Sequence, residues 1–257
     1  PVICVSYNDR GDIFMNEIFS RTQRLIGIDA FEKLQSCHVA VFGVGGVGGY
    51  VVEALVRSGV GEITVIDNDI VSESNINRQI IALHSTLGRD KVDVIKERAL
   101  DINPKIKFNA IKSFFLPSNS SDFDFKKFDY VVDAVDTVTA KIEIIRCAKE
   151  AGVPVISSMG TGNHLDASKF QIADISKTSV CPLARVMRRE LKARRIEKVK
   201  VLFSTEKPIK NQSKTQTYLD EKESVTPPPA SIGFIPPVAG LLIAGEVVRN
   251  LIMREGQ

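Results

Sequence analysis

The chain is poor in the residues from which metal-built or disulfide-built proteins are made. Its 257 residues hold four cysteines, Cys4, Cys37, Cys147 and Cys181, widely scattered. No CxxC pair is present, which argues against a cysteine-type structural zinc site, and a chain of this size is not expected to rest on a disulfide framework. A large charge imbalance is missing as well: the net charge is only +3, so no polyelectrolyte behaviour is implied for the whole chain. Residues 1–15 carry charges and lack a long apolar core; they do not read as a signal peptide and are expected to form a disordered extension. The most apolar late stretch, Ile232 to Ile252, is interrupted by Pro236, Pro237, Glu246 and Arg249, which suits a loop and a buried helix better than a membrane span. There is no internal repeat. The expectation is a cytoplasmic protein without a membrane partner, and the apolar fraction of 44% is enough for a real core.

What is present is organised around Val39 to Gln79, VAVFGVGGVGGYVVEALVRSGVGEITVIDNDIVSESNINRQ. An apolar strand, Val39 to Phe42, runs into a glycine turn with Gly43, Gly45 and Gly48 in GxGxxG spacing. A helix with apolar periodicity follows, then a second strand, Ile63 to Ile66, ending at Asp67. Upstream, Phe14, Ile18, Leu25, Ile28, Phe31 and Leu34 recur at helical spacing over about 16–36, with Arg21 and Arg24 on one face. Downstream come a helix over 91–102, stopped by Asn103-Pro104, a strand from Ile106 to Ile111, a polar loop or short helix over 116–127, a strand from Asp129 to Asp133, a helix over 138–151 and a strand from Val153 to Ser157. Short apolar strands alternating with helices predict an α/β fold: a Rossmann-like, mostly parallel sheet with helices on both faces.

Beyond Gly162 the pattern changes. A strand from Phe170 to Ile175, a basic helix from Pro182 to Arg195, a strand from Val199 to Phe203 and a closing helix from Pro237 to Met253 predict a smaller C-terminal α+β region. Its segment 207–229 is polar with a proline run and is expected to be a mobile loop. The expected division is 16–165 for nucleotide binding and 166–257 for substrate specificity and dimerisation.

Glycines at this spacing let backbone approach a phosphate, and the helix N-terminus that follows favours an anion. Asp67 stands 19 residues after Gly48, where a ribose hydroxyl partner belongs. On these features alone an NAD-dependent oxidoreductase leads, and a tight turn without a ligand stays open. Four further features favour ATP. Asn75 and Arg78 lie three apart just past the second strand, where one helical turn would aim both at the phosphates. Lys91 opens the next helix. Asp133 ends the fourth strand and Asp136 lies three residues further on, beside the same cleft, where a carboxylate suits Mg²⁺. Arg24 precedes the core on a helix able to reach a site in its own subunit or a neighbour. Each has a plainer reading by itself: Arg78 or Lys91 as a solvated charge, either aspartate as a helix cap.

With GVGGVG at 43–48, DNDIVSESNINRQ at 67–79, Lys91, DAVD at 133–136 and RTQR at 21–24, the sequence resembles the ThiF/MoeB/HesA group of ubiquitin-activating-enzyme-like adenylyltransferases. The resemblance implies ATP and Mg²⁺ as cofactors, with Gly43, Gly45, Gly46, Gly48 and Gln79 in the nucleotide site. It implies that Asp67 holds the ribose, that Asn75, Arg78 and Lys91 contact the phosphates, and that Asp136 serves the magnesium. It also implies a homodimer in which Arg24 reaches the partner's site. Arg24, Arg78, Lys91 and Asp136 are thus the expected catalytic set.

The sulfur-carrier and ubiquitin-like branches commonly carry two CxxC pairs and a reactive cysteine in the second half. Here the second half offers only Cys181, in SVCPLARVMRREL, which reads as a buried or helix-start thiol more readily than as a nucleophile. Between Arg185 and Lys200 eight Lys or Arg stand against Glu190 and Glu197, a solvated helix face or a surface for a phosphate-rich partner. DISKTSVCPLARVMRREL at 174–191, VLFSTEKP at 201–208 and ASIGFIPPVAGLLIAGEVV at 230–248 are similar to the tRNA threonylcarbamoyladenosine dehydratase branch. That resemblance implies tRNA as partner, held by 185–200, and ATP-dependent cyclisation of a threonylcarbamoyl group. Activation of a sulfur-carrier or ubiquitin-like protein is the alternative. Some relatives carry a cysteine in the segment matching 226–233; this chain reads TPPPASIG there, which puts a persulfide relay, and with it a sulfur-transfer partner, in doubt.

Overall fold

The structure, a computed structural model, describes residues 17–210 and 229–253. The expectations for residues 1–15, and for most of the loop 207–229, lie outside the described residues. The strands are β1 (His38–Phe42), β2 (Glu62–Ile66), β3 (Lys107–Ile111), β4 (Tyr130–Asp133), β5 (Val155–Ser158), β6 (Phe170–Asp174) and β7 (Lys200–Ser204). The helices are α1 (Ser20–Ile26), α2 (Ile28–Ser36), α3 (Gly48–Ser58), α4 (Lys91–Ile102), α5 (Val138–Glu150), α6 (Pro182–Ala193) and α7 (Ile235–Ile252).

All seven strands form one sheet in the order β3-β2-β1-β4-β5-β7-β6, parallel except for β6, which pairs antiparallel with β7 at the edge. Side chains alternate along each strand, so the apolar runs feed two cores. One face carries Val39, Val41, Ile63, Val65 and Val132 beneath α2, α3, α4 and α7. The other carries Ala40, Phe42, Val131 and Val201 beneath α5 and α6. The strands after residue 165 extend this same sheet, and α7 packs along α3.

The upstream helix is not continuous. Gly27, at φ +85°, breaks it into α1 and α2, because a left-handed residue cannot propagate a right-handed helix. The polar stretch 116–127 is also better anchored than its composition suggests. It forms two short 3-10 turns, and Phe125 stacks on Phe42 with ring centroids 5.6 Å apart while Phe115 meets Phe42 edge-on at 4.9 Å. With Phe123 also packed on Phe115, a few phenylalanines among serines and aspartates suffice to pin the segment.

Helix α7 starts on Ile235 with prolines in its first turn, where a missing N–H costs nothing. It is long and apolar enough to cross a membrane by length and composition. In the fold it is a core helix: Ile235, Ala239, Ile243, Val247 and Leu251 are buried against the sheet and α3. Near its C-terminus Glu246 accepts from Lys200 of β7 at 2.5 Å, Arg249 at 2.8 Å and Asn250 at 3.0 Å. Burial alone would raise this carboxyl, but these donors outweigh it and bring its pKa down to about 2. A depressed carboxylate contributes stability that is full above the unfolded value near 4.5 and lost as pH falls toward the folded value. Glu246→Gln is therefore expected to lower the melting temperature by several degrees at pH 7, with the gap to the wild type closing between pH 4.5 and about 2. A gap that stays constant with pH would show that the ion pair contributes nothing.

Candidate active site

The crevice lies at the carboxyl ends of β1 and β4, between the half of the sheet that runs outward through β2 and the half that runs outward through β5. Gly43 leaves β1 at φ +89°, and a Cβ there would stand 2.8 Å from the Ala134 carbonyl oxygen. A Cβ at Gly48 would stand 1.8 Å from the Gly43 oxygen. These two glycines let the turn close tightly between the strand ends. Gly45 is different: a Cβ there would meet only Gln79 Nε2, at 4.0 Å. The turn is tightly packed at Gly43 and Gly48 and open at Gly45, so its backbone there can take a phosphate directly.

Asp67 closes β2 over this turn. Its carboxylate accepts from the Val44 N–H at 2.6 Å and the Asp69 N–H at 2.8 Å. Burial pushes the carboxyl's pKa up, and the two N–H groups and the Lys91 charge oppose the rise. Lys91, the first residue of α4, is 4% exposed and donates to Asp69 Oδ2 at 2.8 Å. Asp69 thus fixes the lysine beside Asp67, a partner that sequence spacing did not single out although it is the second acid of DND.

The segment 72–79 is a 3-10 turn, Glu73–Asn75, followed by a further turn, rather than a helix face. Asn75 is buried and its Oδ1 accepts from the Ser72 N–H at 3.2 Å, closing a capping box. Its side-chain carbonyl is thereby used locally, and its amide N–H₂ is the group left to meet a ligand. The stem of Arg78 lies across the glycine turn, its Cγ 3.3 Å from a Cβ placed at Gly46. The Arg78 guanidinium donates through one nitrogen to Ser74 O at 2.8 Å and Asn77 Oδ1 at 3.0 Å, which leaves the other side of its fork for an anion. Gln79 is buried, and its Oε1 has no hydrogen-bond partner among the described residues. An orphaned buried oxygen beside an open glycine backbone fits a site shaped for a polar ligand.

The two carboxylates after β4 separate into different roles. Asp133 is fully buried and pairs with Lys141 of α5, Nζ lying 3.1 and 3.2 Å from its oxygens, while Ser157 donates to it at 2.5 Å. It is a structural ion pair and not the cleft carboxylate that its position suggested. Lys141 escaped notice because a lysine within an apolar helix pattern reads as a solvated edge. Asp136 is exposed in the loop beyond Ala134 and accepts from the neighbouring Thr137 hydroxyl at 3.2 Å. Arg24 is not brought to the crevice. It is exposed on α1, whose flanking Phe19 and Phe31 pack at Gly59, the C-cap of α3. That cap lies beyond the eleven residues of α3, or about 16 Å, from the glycine turn.

The basic run is partly neutralised. Arg188 donates to the Thr178 carbonyl at 2.6 Å, Arg189 and Arg194 flank Glu190, and Lys200 pairs with Glu246. Arg185, Lys192, Arg195 and Lys198 remain exposed without an ion pair among the described residues. Cys181 is the buried N-cap residue of α6, a poor place for a nucleophile.

A family model described as ThiF family matches residues 19–257, almost the whole chain. The chain belongs to the ThiF family. Among its relatives in this family, the tRNA threonylcarbamoyladenosine dehydratase of Bacillus subtilis is 44% identical over 239 residues, covering 91% of this chain and 94% of that protein. A solved structure of Escherichia coli tRNA N6-threonylcarbamoyladenosine dehydratase, TcdA, in complex with AMP has a TM-score of 0.83 at 29% identity, covering 96% of this chain and 97% of that one. The same protein in complex with ATP agrees equally well. A probable adenylyltransferase/sulfurtransferase, MoeZ, of Mycobacterium tuberculosis is 33% identical over 131 residues, 51% of this chain and 33% of that protein. Likeness to the dehydratases thus runs through both halves, whereas likeness to the sulfurtransferase stops at about half the chain.

Proposed function

We infer that the protein is an ATP-dependent tRNA-modifying enzyme, a threonylcarbamoyladenosine dehydratase. The observation that carries this reading is Arg78 laid across the phosphate turn, in a chain similar to the Bacillus subtilis dehydratase over nine-tenths of its length. A cation fixed there is what attack on the α-phosphorus requires.

The substrate carboxylate is that of the threonine in N6-threonylcarbamoyladenosine. Its oxygen bonds to the α-phosphorus of ATP and pyrophosphate leaves. A nitrogen or oxygen of the same substituent then attacks the acyl carbon, and AMP departs with the carboxylate oxygen, so the nucleoside has lost one water. The glycine backbone, Arg78, Lys91 and the Asn75 amide meet the charge that develops on the phosphates, and Asp67 holds the ribose. No enzyme cysteine takes part. Among the described residues no three His, Cys, Asp or Glu gather into a metal cage. Mg²⁺ coordinated by one carboxylate, phosphates and water needs none. Asp136 is the carboxylate we assign to hold it, and the ion would supply neutralising charge.

Arg24, exposed at the far end of α3 from its own crevice, suits a homodimer in which it completes the partner's site. Leu25 beside it is 84% exposed, and Ile18, Leu241 and Leu242 are also exposed, apolar surface that a dimer would cover. A tRNA substrate agrees with a cytoplasmic reaction. Incubation of threonylcarbamoyladenosine-containing tRNA with the enzyme and ATP, followed by nucleoside mass spectrometry, is expected to show loss of one water together with AMP. An unchanged nucleoside would refute the reading.

The four unpaired cations of 185–200 are assigned to the tRNA backbone. Reversing Arg185, Lys192, Arg195 and Lys198 to Glu is expected to weaken tRNA binding at least tenfold. The slope of log affinity against log salt should fall by about 1 for each phosphate that is no longer neutralised. Unchanged affinity would make the run a solvated face.

A further inference from the structure

A cavity of about 220 Å³ is lined by none of the residues assigned above to the nucleotide. Its walls include His164, Leu165, Ile209, Lys210, Ser231 and Ile232. One residue stitches it together. Asn163, in the left-handed region at φ +62° that asparagine tolerates, accepts through its carbonyl from the Ile209 N–H at 2.8 Å. Its own N–H donates to Ala230 O at 2.8 Å, and its Oδ1 accepts from the Ala230 N–H at 2.9 Å. Three segments distant in sequence are thereby fixed around one space. The cavity is also tied to the nucleotide site. Asn77 Nδ2 donates to Ser231 O at 3.2 Å, while Asn77 Oδ1 accepts from Arg78.

Two orphaned buried polar atoms belong to this cavity's lining residues. His164 Nδ1 and Ser231 Oγ have no hydrogen-bond partner among the described residues. His164 is only 5% exposed. Its Nδ1 lies 3.4 Å from Glu206 Oε2, within ion-pair reach of a protonated ring but not aligned as a hydrogen bond, and the Glu206 oxygens accept from the Leu165 and Asp166 N–H groups. Burial lowers the pKa of the imidazole against the opposing pull of Glu206, so at neutral pH the ring offers one donor and one acceptor. Around these polar groups, Leu165, Ile209 and Ile232 form an exposed apolar rim. A space of this size is smaller than that of a drug-sized ligand site; it suits one substituent and not a whole nucleotide.

Its place along the sheet agrees. At the carboxyl ends, Asp67 follows β2, the glycine turn follows β1, Asp136 follows β4, and the turn bearing His164 follows β5. The segment bearing His164 thus leaves the sheet one strand beyond β4, on the side of the crevice away from β2.

We propose that this cavity is the acceptor subsite, which takes the threonylcarbamoyl substituent of the target adenosine. His164 and Ser231 hydrogen-bond its ureido and hydroxyl groups, and the apolar rim lies against its methyl group and the base. Lys210 supplies a cation for the nucleotide's own phosphate. The proposal rests on the dehydratase reading but can fail independently of it.

The test compares the affinity of the protein for one tRNA bearing threonylcarbamoyladenosine and for the same tRNA bearing plain adenosine, alongside its affinity for ATP. The wild type is expected to prefer the modified tRNA. That preference should shrink at least fivefold in Ser231→Ala, a change too small to threaten folding, and at least tenfold in His164→Ala. Affinity for ATP and for plain tRNA should stay within twofold. Unchanged preference, or a parallel loss for both tRNAs or for ATP, would overturn the subsite. Should the wild type neither dehydrate the modified tRNA nor prefer it, the functional reading itself falls, whereas dehydration by the wild type with unaltered preference in Ser231→Ala removes the subsite alone.

Discussion

Replacing Arg78 with alanine is expected to slow AMP formation by about 10²–10³-fold, or roughly 3–4 kcal/mol of transition-state stabilisation, while leaving the melting temperature nearly unchanged. The large kinetic effect follows from placement. The Arg78 stem is held over Gly46, and two local bonds to Ser74 O and Asn77 Oδ1 fix one side of its guanidinium. In the proposed reaction the remaining N–H groups would meet the phosphates from a fixed position rather than be recruited from solvent. The small thermal effect follows from partial exposure: no buried ion pair is broken when the side chain is removed. Arg78→Lys should recover little, because an ammonium cannot reproduce a planar fork anchored on one edge. ATP–pyrophosphate exchange and AMP release measure the loss, and normal turnover in Arg78→Ala would remove this residue from the chemistry.

The opposite signature is expected at Lys141. Lys141→Met should destabilise the fold by about 3–5 kcal/mol, because it strands the Asp133 carboxylate in a site with no access to water. The side chains of Lys141 and Asp133 are 1% and 0% exposed, and the Ser157 hydroxyl and the Val135 N–H are the other donors to Asp133's oxygens. For a chain of this size that corresponds to a fall in melting temperature of about 10 °C. The double variant Lys141→Met with Asp133→Asn should regain much of the loss, since no uncompensated charge remains. Asp136→Ala, a few residues away, should behave like Arg78→Ala: stable and slow, with a weakened dependence on Mg²⁺. If Lys141→Met melted like the wild type, the buried pair would be energetically idle. If Asp133→Asn changed the Mg²⁺ dependence without lowering stability, the division of labour between the two aspartates would be reversed.

The strand, turn, helix and strand of 39–66 were legible because each depends on short-range physics. Alternating or continuous apolar runs make buried strands, and GxGxxG closes a turn only glycine can close. The alternation of elements then dictates a parallel sheet with helices on both faces, and the offsets of Asp67, Arg78 and Lys91 to strand ends put them forward as candidates for the nucleotide site. Tertiary structure decided what local pattern cannot encode. Asp133 and Asp136 are equivalent as letters, and only the approach of α5 buries one against Lys141 and leaves the other exposed in the loop. The basic residues of 185–200 look alike until Glu190, Glu246 and Thr178 occupy half of them. His164 and Ser231 are far apart in the chain and carry no motif; they share a cavity because Asn163 joins three chain segments through hydrogen bonds. Sequence by itself determined the fold's order and the phosphate turn, because those rest on backbone geometry and apolar periodicity. Which charges are free to act was settled by long-range packing, because a charge's role depends on what is brought against it.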